Sequence, residues 1–106
     1  MEEKIKPRYV IRIAAELVGV RTHTLRYYER EGLVKPSRSA GNVRLYSESD
    51  IQRLRRVRNL MEELGVNTAG VEVILNMLDR MTEMQRLNEE LRDELVRRLH
   101  DNTDQD

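Results

Sequence analysis

The chain has 106 residues, 36% of them charged and 39% hydrophobic, which is enough for one modest core. It has no cysteine and only two histidines, His23 and His100, so neither disulfides nor a metal cluster are expected. No converging carboxylates, Gly-rich phosphate loop or Ser/His/Asp set indicates an enzyme or a cofactor. No apolar run approaches the roughly 20 residues that span a membrane, and no secretory signal opens the chain. We therefore expect a cytoplasmic protein.

The formal net charge of zero conceals an asymmetry between the two halves of the chain. Residues 1–58 hold 14 Lys and Arg against 7 Asp and Glu, whereas residues 59–106 hold 5 against 12. The basic half suits a polyanion such as nucleic acid, although a basic surface can also face an acidic membrane or no partner.

Two short helices are predicted in the basic half. The first has apolar residues at helical spacing before a stop at Gly19, namely Ile13, Ala14, Leu17 and Val18. The second runs from about Thr22 to Arg30, with Leu25 and Tyr28 facing inward, and Gly32 ends it. Two short helices joined by a tight turn predict a helix-turn-helix.

A small hairpin is predicted after these helices. Apolar positions alternate with basic or phenolic ones at Val43, Arg44, Leu45 and Tyr46. Gly41-Asn42 supplies residues that tolerate positive φ in the turn, and residues 34–38, interrupted by Pro36, can pair only as a short edge strand. A hairpin in this place is a wing, so the predicted fold is mainly α with a winged helix-turn-helix.

Two further helices are predicted beyond the wing. Ser49 and Gln52 have the spacing of a capping box for a helix that ends at Gly65. Its expected buried face consists of Ile51, Leu54, Val57, Leu60 and Leu64. Asn67 is expected to cap the following helix, with Val66 and Val71 as a hydrophobic staple.

The acidic half carries a stripe of residues spaced alternately by three and four. The stripe, called here the predicted seam, consists of Ile74, Met77, Met81, Met84, Asn88, Leu91 and Leu95. Such a heptad pattern predicts a coiled coil between two copies of the chain, hence a homodimer; the alternative is a stripe that packs on its own winged domain. Thr82 and Gln85 resemble a second capping box, so the segment is one helix or two. Residues 100–106 are expected to be disordered.

The segment from Thr24 to Leu33 is the most informative part of the sequence. The chain has no Phe or Trp, and its four Tyr lie in or near this segment. Arg26, Tyr27 and Arg30 fall on one helix, where basic and phenolic side chains suit phosphate oxygens. The start of that helix, with Arg21, is the end that enters a major groove, where Arg can pair with guanine. The DNA-contact candidates are Arg21, His23, Thr24, Arg26, Tyr27, Arg30, Arg38, Arg44 and Tyr46.

Tyr28 and His23 are weighed differently from the other candidates. Tyr28 lies beside Leu25 on the inward face, so it is expected in the core and not at DNA. His23 is as compatible with a solvated surface residue as with a base reader.

Two motifs in this order resemble the mercury-resistance-regulator (MerR) family of bacterial transcription factors. They are Thr24-Leu25-Arg26-Tyr27-Tyr28-Glu29 with Gly32-Leu33, and Arg44-Leu45-Tyr46-Ser47 with Asp50. The resemblance covers about residues 9–99. It implies dimers joined by an antiparallel coiled coil, which bind inverted-repeat operators in double-stranded DNA and often bend them. In many members a Ser or Asn stands where this chain has Arg21, so Thr22 is expected to cap the second helix instead.

The predicted elements divide the chain into four segments. A flexible N-terminus (1–8) is expected before the DNA-binding domain (9–79), followed by a dimerisation helix (80–99) and a disordered tail (100–106). The chain lacks the C-terminal cysteines of metal-sensing members and the large effector domain of drug-sensing ones, which argues against small-molecule sensing.

Within the family, the chain is most similar to the heat-shock repressor subgroup, which controls chaperone operons. The supporting features are Tyr9-Val10-Ile11, Gly65-Val66-Asn67 with Ala69-Gly70, and the short C-terminal region. This implies a nucleoid-associated repressor with a chaperone as candidate co-repressor, which meets RNA polymerase only indirectly at the promoter. The C-terminal half also resembles chaperone-modulating relatives, so the rival function is a chaperone-binding modulator that uses the acidic helix. Those relatives lack the Leu-Arg-Tyr-Tyr motif kept here.

Overall fold

The computed structural model describes residues 8–104, which form a small sheet and a series of helices. In chain order these are β1 (Arg8–Tyr9), α1 (Ile11–Val18), α2 (Thr22–Arg30), β2 (Ser37–Arg38), β3 (Arg44–Ser47), α3 (Glu48–Arg58), a π-helical turn (Asn59–Glu63) and α4 (Thr68–Asp104). Two compact units divide between Glu72 and Val73, within α4, whereas the sequence placed the boundary after residue 79. Of the N-terminus expected to be flexible, Arg8 is paired in β1, and residues 1–7 lie outside the described residues. No helix within residues 8–104 is long and apolar enough to cross a membrane.

The predicted wing is the antiparallel hairpin of β2 and β3, in which Ser37 faces Leu45 and Arg38 faces Arg44. In its turn Asn42 has a φ of 64°, and the Asn42 amide donates to the Ser39 carbonyl at 2.9 Å. The edge strand is shorter than the expected 34–38, because only the two residues after Pro36 pair. A third strand, β1, pairs with the other edge of β3, and the sequence did not predict it.

The two helices of the helix-turn-helix are confirmed. α1 ends at Gly19, whose φ of 87° is left-handed and whose amide donates to the Ala15 carbonyl at 2.8 Å. α2 spans Thr22–Arg30 as predicted, but the expected cap by Thr22 is wrong. The N-cap is Arg21, whose carbonyl accepts from the Leu25 amide at 3.1 Å, so Thr22 is already the first helical residue.

The core of the first unit is built from α1, α2, α3, the residues between them and the start of α4. Its buried apolar side chains are Ala14, Ala15, Val18, Leu25, Tyr28, Leu33, Val34, Tyr46, Ile51, Leu54, Val57 and Val71. Leu17 and Leu64 were expected in this core and are exposed, Leu64 by 71%. The π-helical turn explains Leu64, whose amide donates to the Asn59 carbonyl five residues earlier. This wider turn rotates the following residues away from the face of α3.

A capping box opens α3, but it is not the predicted one. The Ser47 hydroxyl accepts from the Asp50 amide at 3.0 Å, and the Asp50 carboxylate accepts from the Ser47 amide at 2.9 Å. Ser47 is the last residue of β3 and keeps an extended backbone, so the helix begins at Glu48. The predicted box of Ser49 and Gln52 is therefore wrong, because both residues already lie within the helix.

α4 is one continuous helix, which settles the choice between one helix and two. The Asn67 side chain accepts from the Gly70 amide at 2.8 Å, as expected of its cap. Thr82 caps nothing, since its hydroxyl donates to the Leu78 carbonyl at 3.0 Å inside the helix. The expected disordered tail is wrong for residues 100–104, which are helical, and residues 105–106 lie outside the described part.

Ion pairs along the exposed surface of α4 stabilise this long helix. Arg86 Nη2 lies 2.6 Å from Glu83 Oε1, and Arg86 Nη1 lies 2.5 Å from Glu90 Oε1. Glu94 pairs in the same way with Arg97 and Arg98. Hydrogen bonds from these arginines lower the pKa of the Glu83 and Glu94 carboxyl groups. Opposite charges three and four residues apart lie next to each other on a helix and favour the helical state.

Candidate nucleic-acid interface

One face of α2 carries the predicted DNA contacts together. The side chains that line a single open depression there are His23, Thr24, Arg26, Tyr27 and Arg30. The opposite face of the helix is held in the core by Leu25 and Tyr28, both buried. Because three or four residues separate successive positions on one helix face, the buried pair orients the basic face outward. Arg21 is exposed at the N-cap, the end proposed to enter a groove.

Tyr27 touches a residue that the sequence did not single out. Its hydroxyl lies 3.1 Å from the hydroxyl of Thr68, and either oxygen can donate. Thr68 is the first residue of α4, so the contact joins α2 to the beginning of that helix. No spacing rule could have found Thr68, because 41 residues separate the two side chains. Tyr27 nevertheless remains partly exposed beside Arg26 and Arg30.

The two wing arginines converge on Glu29 of α2. Arg44 Nε lies 2.6 Å from Glu29 Oε2, and Arg38 Nη2 lies 3.8 Å from Glu29 Oε1. Arg38 also donates through Nη1 to the Asn42 carbonyl at 3.3 Å in the wing turn. Arg38 and Arg44 were predicted as phosphate contacts, whereas Glu29 was noted only as part of a motif. The structure places all three at the junction between the wing and α2.

Tyr46, which was expected to contact a phosphate, lies in the core of the domain. Tyr46 is completely buried, and burial, followed by the nearby Glu29 carboxylate, raises the pKa of its phenol. In a strand, alternate residues share a face, so Arg44 and Tyr46 point to the same side of β3. That side faces the body of the domain, while Val43, an apolar position of the alternating pattern, is 49% exposed.

Two arginines of α3 donate hydrogen bonds to backbone carbonyls of the helix-turn-helix region. Arg53 Nε donates to the Leu33 carbonyl at 2.8 Å, and Arg55 Nε donates to the Leu17 carbonyl at 3.1 Å. The Leu17 carbonyl lies at the end of α1, and the Leu33 carbonyl lies in the loop shortly after α2. These contacts satisfy carbonyls that a helix end or the loop after it leaves without an intrahelical donor.

The predicted seam is exposed in the single chain. Met77, Met81, Met84, Leu91 and Leu95 are each more than half exposed. Ile74 is only partly exposed, and Asn88 is exposed. The exposed apolar residues that the heptad count missed are Val73, Leu87, Val96 and Leu99. An α-helix has 3.6 residues per turn, so positions seven residues apart do not stay on the same line along the helix surface. The heptad count therefore missed Leu87, which lines a groove with Met84 and Leu91.

Comparison with known proteins identifies the family. The model of the MerR helix-turn-helix family of regulatory proteins matches residues 9–78, which carry the described helix-turn-helix and wing. The chain belongs to the MerR family. This confirms the resemblance that the motifs of α2 and β3 suggested, and the family's members are transcriptional regulators.

Individual relatives point in the same direction. The heat shock protein HspR of Streptomyces coelicolor is 45% identical over 85 residues, which is 80% of this chain and 56% of that protein. The transcriptional regulator GlnR of Bacillus cereus is 33% identical over 92 residues, 87% of this chain and 70% of that protein. The chain thus spans little more than half the length of its HspR relative. The similarity to HspR agrees with the heat-shock subgroup, and the rival function as a chaperone-binding modulator is not favoured.

Solved structures of this family support the fold. The transcription regulator PbrR691 from Ralstonia metallidurans, crystallised with lead(II), has a TM-score of 0.62 at 29% identity, covering 88% of this chain and 84% of that one. HiNmlR, a MerR family regulator bound to promoter DNA, has a TM-score of 0.61 at 19% identity, covering 85% and 74%. The predicted mainly α, winged helix-turn-helix fold with a long C-terminal helix is confirmed.

Proposed function

We propose that the protein is a sequence-specific DNA-binding transcription regulator that binds an inverted-repeat operator as a homodimer. The observation that carries the proposal is the depression on α2, where Arg26, Tyr27 and Arg30 stand side by side on an outward face. Guanidinium and phenol groups arranged along one helix match the phosphate oxygens of a DNA backbone.

The residues take different roles in this proposal. Arg21, His23 and Thr24 at the start of α2 meet base edges in the major groove, as the N-terminal residues of a recognition helix do. Arg26, Tyr27 and Arg30 contact phosphates on one side of the groove, and Arg38 of the wing contacts the backbone beyond it. Tyr46 has no contact with DNA, because the core encloses it.

The exposed stripe of α4 supports the dimer. Burying Met and Leu side chains between two antiparallel copies of α4 stabilises the pair by roughly 1.5–3 kcal/mol for each fully buried side chain. A continuous exposed apolar stripe of this kind marks an interaction surface. Two copies related by a two-fold axis present two recognition helices, which accounts for an inverted-repeat operator.

The similarity to HspR supports repression of a stress or chaperone operon. In this proposal the protein acts in the cytoplasm on the nucleoid, with a chaperone as co-repressor, and meets RNA polymerase only through the occupied promoter.

The deciding experiment is to sequence the fragments of random DNA that the purified protein retains. We expect enrichment of one inverted repeat, and an affinity for it that falls steeply as salt rises, because each dimer displaces several counterions. Fragments no different from the input, or an affinity that does not change with salt, would contradict the proposed function. Enrichment of a single half-site without its repeat would contradict the dimer.

A further inference from the structure

Glu29 lies where α2 and the wing meet, and one carboxylate holds both wing arginines. It approaches Arg44 to 2.6 Å and Arg38 to 3.8 Å. The Glu29 side chain is 19% exposed, against 34% for Arg44 and 42% for Arg38. The partly buried Glu29–Arg44 pair is screened by salt less than a fully exposed pair would be.

The sheet register explains why the wing needs this carboxylate. Arg38 and Arg44 are direct partners across β2 and β3, so two positive charges stand opposite each other on a short hairpin. Like charges in that position destabilise a strand pair. Glu29 offsets this repulsion, and because it belongs to α2, it also ties the hairpin to the recognition helix.

We propose that Glu29 is a positioning residue of the DNA interface. It sets the wing against α2, so that Arg38 reaches the backbone beyond the groove while the outward face of α2 contacts the phosphates beside it. Arg44 then acts through Glu29 by anchoring β3, while the more exposed and more loosely held Arg38 is the wing residue that turns to a phosphate. This inference rests on the proposed DNA-binding function.

A purely electrostatic role for Glu29 would have the opposite effect. A carboxylate near DNA repels phosphates, so removing its charge would strengthen binding to every sequence. If Glu29 positions the wing, its removal instead leaves Arg38 and Arg44 to repel each other, and the wing loses its fixed place. Operator binding then weakens although the protein has become more positive.

Three variants separate the two effects. E29Q removes the charge, E29D keeps the charge on a side chain one methylene shorter, and E31Q removes a charge at an exposed position at the end of the same helix. We expect E29Q and E29D to lose about tenfold in affinity for the enriched operator, and E31Q to bind as well as the wild type or better. Wild-type affinity in E29D, or equal affinities in E29Q and E31Q, would overturn the proposal.

Amide hydrogen exchange in the free protein tests the positioning without DNA. The Ser39 amide donates to the Val43 carbonyl at 2.9 Å, and the Val43 amide donates to the Ser39 hydroxyl at 3.2 Å, so both report on the wing. At these two amides, hydrogen exchange should be faster in E29Q than in either the wild type or E31Q. Equal exchange rates in the three proteins would overturn the positioning role of Glu29. If E29Q exchanges faster but the wild-type protein retains no DNA, the proposed function is overturned. The inference that Glu29 positions the wing would still hold.

Discussion

The hydroxyl of Tyr27 lies 3.1 Å from that of Thr68, so the outward face of α2 is joined by a hydrogen bond to the first residue of α4. The contact orients a phenol that stands beside Arg26 and Arg30. A side chain held in place loses less conformational freedom when it binds, which favours binding.

Thr68→Val should therefore weaken DNA binding, although Thr68 itself is not assigned to DNA. We expect a loss of about 0.5–1.5 kcal/mol in binding or in the free energy of unfolding, the usual contribution of one hydrogen bond. Urea denaturation and DNA titration measure the two effects. Thr68→Ser keeps the hydroxyl and is the matched control; if it behaves like Thr68→Val, the hydrogen bond is not the cause.

Tyr46→Phe and Tyr27→Phe should differ in their effect on DNA binding. Tyr27 is partly exposed on the proposed interface, whereas Tyr46 is buried. Loss of the Tyr27 hydroxyl should weaken binding to all sequences by a similar factor, because phosphate contacts carry no sequence information. Tyr46→Phe should bind operator DNA like the wild type in the same titration. A marked loss in Tyr46→Phe would restore Tyr46 as a DNA contact.

High pH should destabilise the protein through its buried phenols. Burial raises the pKa of Tyr46 and of Tyr28 above the ordinary value of 10.0. Below that pH both phenols are protonated in the folded and the unfolded chain, and their contribution to the free energy of unfolding is fully present. Above it the unfolded chain loses these protons first, so the free energy of unfolding falls until the raised pKa is passed. Urea titrations at about pH 8 and about pH 11 should show this fall, and an equal fall in Tyr46→Phe would exclude Tyr46 as a source.

Base reading and phosphate contact should separate between Arg21 and Arg26. Arg26→Ala should weaken operator and random DNA alike and reduce the slope of affinity against salt by about one for each lost contact. Arg21→Ala should change the preferred base, by roughly 1–3 kcal/mol if a bidentate contact to guanine is lost. Titrations of both variants on operator, single-base variants and random DNA measure this. Equal losses on operator and random DNA for Arg21→Ala would show that Arg21 does not read bases.

Leu91→Asp should convert the dimer to a monomer. Leu91 is exposed in the single chain and belongs to the stripe on α4, where a charge would have to be desolvated for two copies to pair. We expect a monomer in analytical ultracentrifugation, loss of operator binding and an unchanged helical content by circular dichroism.

Thr82→Asp is the matched control for Leu91→Asp, because it introduces the same residue at an exposed position of the same helix outside the predicted seam. It should remain dimeric. A dimeric Leu91→Asp protein would place the dimer interface elsewhere.

Much of the fold depended on properties that are local along the chain and could be predicted from the sequence. The spacing of Leu25 and Tyr28 determined which side of α2 is buried, since helix periodicity requires no distant partner. The end of α1 at Gly19 was correctly expected, and a side-chain cap was correctly expected at Asn67. The motifs in α2 and β3 were specific enough to identify the family.

Tertiary structure decided the features that depend on distant residues. The alternating pattern of β3 predicted a strand. Which face of that strand is buried depended on its packing against the rest of the domain, and Tyr46 lies on the buried face. The start of α3 depended on where β3 stopped pairing, which moved the capping box to Ser47. Glu29 meets Arg44, and Tyr27 meets Thr68, only because folding brings separate segments together. Such contacts have no spacing rule, because their geometry is set by the packing of whole elements and not by the backbone between the two residues.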